Sequence, residues 1–113
     1  MNIITTITTA LASLNIPMAV GMYETTTTYP DAYIVIMPLY ETNEDIADNG
    51  DASETHGADV GLYIKGDYTT TKNTAKTSLK TAGLFIAEAR YIGYENTTGH
   101  HHYTITVEEK EFI

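Results

Sequence analysis

Ala58-Asp59-Val60-Gly61-Leu62-Tyr63-Ile64-Lys65 alternates apolar and polar positions without a break: Ala58, Val60, Leu62 and Ile64 on one side, Asp59, Gly61, Tyr63 and Lys65 on the other. Period-two alternation bounded by a turn, here Gly66-Asp67, predicts a strand with one face buried. Upstream lies a second strand signal, Asp31 to Leu39, which is apolar on both faces. Tyr33, Val35, Met37 and Leu39 stand on one side and Ile34 and Ile36 on the other. Such a strand is either central and covered twice, or covered once by its own fold and once by a partner. Pro38 cannot donate a ladder bond, so this strand is expected to fray or meet an edge there.

Between the two strands runs Glu41 to Asp59, with seven acidic residues and no Lys or Arg. So long a connection in a small domain is either functional or disordered. It reads as a flexible acidic loop at about 40–57, and like-charge blocks are usually solvated. An EF-hand fails on spacing, which leaves a looser cation site as the alternative to a solvated acidic loop. With Gly50 as the loop glycine of an EF-hand, Asp45 takes position one and Asn49 position five. Ala47 then falls at three and His56 at twelve, where ligands are required.

Outward from this centre, residues 3–14 read as an amphipathic helix. Ile3, Ile7, Ala10, Leu11 and Leu14 form one stripe, and Asn15 and Pro17 supply a stop. Met18 to Glu24 predicts a first strand. Thr70 to Ala82 predicts a second helix with Ala75, Leu79 and Ala82 inward and Gly83 as its terminator. Leu84–Ile92 and His101–Glu108 predict a closing hairpin. The order is α-β-β-β-α-β-β in a single domain of 113 residues. It implies an α+β fold, one twisted, mainly antiparallel sheet with two helices on one face. Twenty threonines and nine tyrosines agree with a sheet-rich chain.

A formal charge of −9 argues against nucleic acid and against an anionic membrane surface. The absence of cysteine excludes a disulfide framework and thiolate chemistry. No basic-then-apolar leader opens the chain, and no apolar run approaches the ~20 residues of a membrane helix. These features predict a soluble chain made in the cytosol.

His100 and His102 would share a strand face about 7 Å apart and could chelate a divalent metal. No carboxylate at fixed spacing completes that site. Ser53 has Asp51 and His56 near it in sequence, but a mobile loop offers neither rigid anchoring nor an oxyanion hole. No phosphate loop or nucleotide fingerprint is present. The chain is therefore read as a non-enzyme, with no catalytic, cofactor or metal residues assigned.

Lys72, Lys76 and Lys80 stand at i, i+4 and i+8, half of all basic residues, and make a ridge on the second helix. Segregated charge of this kind suits a head-to-tail contact between copies, which generates rings or filaments. Glu44, Asp45, Asp48, Asp51 and Glu54 on the acidic side, with Lys72, Lys76 and Lys80 on the basic side, are the subunit-contact candidates.

Several local motifs then carry a resemblance over nearly the whole chain. They are Leu14-Asn15-Ile16-Pro17, Tyr33-Ile34-Val35-Ile36, Ala47-Asp48-Asn49, Tyr63-Ile64-Lys65, Ala82-Gly83-Leu84-Phe85, Tyr94-Glu95 and His102-Tyr103. Their order resembles the tail completion or tail terminator proteins of tailed phages and prophages of Gram-positive bacteria. That resemblance implies a virion structural protein, assembled in the host cytoplasm, forming a ring, typically a hexamer. The ring joins the tail tube to the head connector, and the implied family has no catalytic residue. Another minor capsid or tail-associated phage protein is the alternative, with a small metal-binding domain built on His100–His102 as a third reading.

Overall fold

A computed structural model describes residues 2–22, 29–45 and 52–112. In chain order the elements are helix α1 (Ile3–Leu11) with a 3₁₀ turn (Ala12–Leu14), β1 (Met18–Val20), β2 (Ala32–Asp45), β3 (Ala52–Lys65), helix α2 (Thr69–Thr81), β4 (Phe85–Glu95) and β5 (His100–Phe112). The fold is α+β, with one mixed five-stranded sheet ordered β1-β2-β3-β5-β4. β1 runs parallel to β2, and the other three pairings are antiparallel.

α1 begins where the Asn2 side chain accepts from the Ile4 N–H at 2.9 Å, which caps a threonine-rich segment of weak propensity. Asn15, at φ 56°, ends the following turn in the left-handed region that asparagine tolerates. Pro17 then enters the sheet, its carbonyl accepting from Ile34 N–H at 2.9 Å.

The core lies on one face. Ile34 and Ile36 of β2, Val60 and Leu62 of β3, and Ile105 and Val107 of β5 are nearly or fully buried with Ile7 and Leu11 of α1 and Ala75 and Leu79 of α2. Register puts Ile36 beside Val60 and Val60 beside Ile105, so each strand's inward set lines up with the next. Each such aliphatic side chain contributes about 1.5–3 kcal/mol by leaving water.

The acidic segment behaves differently from the sequence reading. Residues 40–45 pair with 52–57, and β5 pairs along the other side of β3 out to Ser53–Phe112. Only 46–51 lie between the strands, outside the described residues. What was read as a loop at 40–57 is therefore mostly strand. Along this stretch β3 has neighbours on both sides and satisfies its backbone without any apolar side chain. The result is a three-stranded arm. It gives the molecule extents of 54 × 27 × 23 Å and a radius of gyration of 15.6 Å, against about 13 Å for a compact domain of this length.

β2 does not fray at Pro38 but meets an open edge there, one of the two outcomes expected of it. Ile34 donates to, and Ile36 accepts from, the chain on the β1 side, so Pro38, two residues on, faces that same edge. β1 is already over there, and the absent N–H leaves no ladder bond unmade. The register skips between Pro38 and Tyr40, which leaves Leu39 as a bulge. Past it the Tyr40 ring lies over Gly57, where a Cβ would stand 2.6 Å from its Cε1, and the Tyr40 hydroxyl donates to Glu108. β1 is also shorter than Met18–Glu24, spanning Met18–Val20, and residues 23 and 24 are outside the described residues.

Candidate assembly surfaces

Three surfaces leave the body of the fold carrying more chemistry than a solvated face needs. The first is the arm. β2 and β3 bring Glu41, Glu44, Asp45 and Glu54, and β5 adds Glu108, Glu109 and Glu111, which the sequence reading had not joined to them. Glu54 stands opposite Glu111 and His56 opposite both Glu41 and Glu109. Against these seven acids the arm's strands carry one lysine, Lys110. Asp48 and Asp51 lie outside the described residues. Like charges on adjacent strands repel, and His56 lies between two of them, with Nδ1 3.3 Å from Glu41 Oε1 and Nε2 3.1 Å from Glu54 Oε2.

The second surface is the ridge on α2. Ala75 and Leu79 point inward, and Lys72, Lys76 and Lys80 follow the helix beside them. Lys72 Nζ rests 5.2 Å from the centre of the Tyr103 ring and 5.8 Å from that of Tyr68, a cation–π arrangement. Among the described residues none of the three lysines pairs with a carboxylate. Among the described residues the ridge lysines thus have no carboxylate partner, and the arm carries seven acids against Lys110.

The third is the sheet face away from the helices, where among the described residues only Tyr29 and Pro30 cover one end, over His100 and Tyr33. Tyr33, Tyr63 and His102 sit side by side on β2, β3 and β5, with Tyr29 ahead of them. Their rings stack in series, with centroids 5.2, 4.6 and 4.1 Å apart from Tyr29 to His102. Next to this ladder is a shallow depression of about 240 Å³ floored by Gly61 and edged by Val35, Met37, Ile92, Asp59 and Arg90. Burial, followed by the nearby Glu95 carboxylate, pushes the Tyr33 hydroxyl up to about 12, and Tyr63 is raised by the same causes. Burial also lowers the pKa of His102 below its ordinary 6.5, although Glu95 and Asp59 act the other way.

The three adjacent histidines have separate duties. His100 is fully buried, its Nε2 2.8 Å from the Pro30 carbonyl oxygen. His102 belongs to the ladder. His101 is on the helix side, its Nδ1 2.9 Å from the Tyr91 hydroxyl and its ring close to Tyr68 and Tyr94. His100 and His102 do share a face, as strand alternation requires, but their rings are engaged with protein, and among the described residues no carboxylate joins them in a metal-binding group.

One consequence is a measurable pH dependence. His102 has a folded-state pKa below its unfolded one, so the unfolded chain binds the proton first as pH falls. The contribution of the neutral ring is complete above about pH 6.5 and is lost as acidification passes the folded value. Denaturation midpoints of the wild type should therefore fall more steeply on acidification from pH 7 than those of His102→Phe. Parallel pH profiles would refute this role.

Charge and apolar area thus point outward on these surfaces, and no protein-family model and no curated protein matches the chain.

Proposed function

We propose that the chain is a structural subunit of a phage or prophage particle, a tail completion protein that closes into a ring between the tail tube and the head connector. The observation that supports this most is the segregated charge: an acidic arm projecting from the body, and a lysine ridge on α2 with no carboxylate partner among the described residues. Two different patches of complementary sign on identical subunits make head-to-tail contacts, and a ring results when the rotation closes. The arm's length suits it to reach across a subunit boundary.

The outer edge of β2 beyond Ile36, and that of β4, have no strand neighbour among the described residues. Open edges invite indiscriminate pairing, and acidic side chains along β2 discourage it. Contact in the ring is then directed to the ridge rather than to strand edges. Six copies is the number the resemblance implies, in the virion and, before assembly, in the host cytoplasm. This reading needs no catalytic residue, cofactor, nucleic acid or membrane.

Negative-stain microscopy of the concentrated protein tests the proposal. Closed rings of a single diameter are expected. Open filaments or featureless monodisperse particles of subunit size would contradict it.

A further inference from the structure

His56 and its neighbours carry an inference independent of the assembly reading. Glu41 stands directly across from His56 on β2, and Glu54 precedes it by two residues on β3, hence on the same face. One donor atom from each of the three lies within 4.8 Å of the others. A tetrahedral zinc ion with bonds of about 2.0–2.1 Å holds its donors roughly 3.3 Å apart. The two His56 contacts, 3.3 Å from Nδ1 to Glu41 and 3.1 Å from Nε2 to Glu54, are made by different ring nitrogens, so an ion held by one nitrogen needs the other carboxylate to swing toward it. The imidazole is well buried, at 17 % side-chain exposure, while Glu41 at 63 % is free to swing toward either ring nitrogen.

A second observation comes from the third strand. Glu109 is in register with His56 on β5. Its Oε2 accepts from Thr6 Oγ1 at 3.0 Å, but its Oε1 is buried with no hydrogen-bond partner among the described residues. Buried polar atoms are rarely left so, and an orphan often marks an absent ion or water. A divalent cation at His56 would supply the missing positive charge and relieve the repulsion among Glu41, Glu54 and Glu109. Access is open, because a groove of about 430 Å³ between the start of α1 and the arm is lined by Asn2, Ile3, Tyr40, Glu41 and His56.

We propose that Glu41, Glu54 and His56 bind a divalent transition metal of the zinc class at the root of the arm, with Glu109 as the supporting carboxylate. The donor set decides the class. One imidazole with carboxylates suits zinc and its neighbours, whereas calcium and magnesium prefer oxygen alone. The metal ties β2 to β3 where the bulge at Leu39 loosens their pairing, and so stiffens the arm.

Calorimetry of the full chain with zinc alone tests this, with calcium alone as the comparison. One zinc per chain is expected, with little heat from calcium. His56→Ala should weaken zinc binding by more than about tenfold, because loss of a supporting group alone costs about 10–100-fold in such sites. Glu54→Gln, close in shape and unlikely to disturb folding, should weaken it in the same direction, and His102→Ala should leave it unchanged. Circular dichroism checks that each variant is folded, and Glu54→Gln carries the test if His56→Ala is not. No zinc uptake by the wild type would overturn the proposal. So would binding that survives His56→Ala or Glu54→Gln, and so would binding lost in His102→Ala, which would move the site to the histidine run.

Discussion

Ile105→Ala lowers the free energy of unfolding by about 2–5 kcal/mol. Ile105 has no exposed surface and sits on β5 between Val60 of β3 and Ala89 of β4. It therefore belongs to the row where three strands meet beneath the helices. Neighbouring Val60, Leu79 and Val107 are themselves fully buried, so the void left by truncation cannot be filled from solvent or by a mobile side chain. Ile92→Ala removes the same atoms from a residue that is 46 % exposed at a β4 bulge, and should cost about 0.5 kcal/mol or less. Urea denaturation of the two variants measures the contrast. Equal losses would mean that the helix-covered face is not the stabilising one.

The second large effect concerns assembly rather than stability. Lys72→Glu, Lys76→Glu and Lys80→Glu together should abolish ring formation while leaving a folded subunit. Like charge would then face like charge where the arm meets α2, and such juxtaposition costs several kcal/mol at an interface. Lys72 also lies on the Tyr68 and Tyr103 rings, so its reversal removes a cation–π contact of about 0.5–1 kcal/mol within the subunit. Lys76→Glu with Lys80→Glu separates the two effects, since neither lysine makes that contact. Light scattering reads the outcome. An oligomeric mass unchanged by the triple reversal would remove the arm–ridge contact from the account.

The parts of this fold that declared themselves in the sequence are those where side-chain pattern and backbone state coincide. Ala58 to Lys65 alternates because one face is under helices, and the lysine ridge is visible because helical spacing fixes it. The arm gave no such signal. Ser53, Thr55 and Gly57 alternate with Glu54, His56 and Ala58, polar on nearly all positions, so hydrophobic periodicity is silent and a charge run is naturally read as a loop. Its strands exist because β5 continues to Phe112 and supplies a second neighbour, which no local window shows. The aromatic ladder depends in the same way on register. Tyr33, Tyr63 and His102 are each legible as strand residues, and only pairing makes them adjacent. For His56 a signal was present: Glu54 at i−2 shares its face in a strand. It became readable only once residues 52–57 were known to be strand.

The sheet face away from the helices shows the reverse. The two-sided apolar pattern of Tyr33 to Met37 required either a second covering layer or a partner. α1 and α2 lie together on the opposite side, and Met37 remains 42 % exposed.

The most direct test of the assembly account is the mass of the protein with and without purified tail tubes, by sedimentation or mass photometry. The account expects the 12.4 kDa chain to reach one fixed multiple of itself, and to bind tubes at a single end in that same number. A protein that stays at 12.4 kDa at every concentration, tubes present, would contradict it.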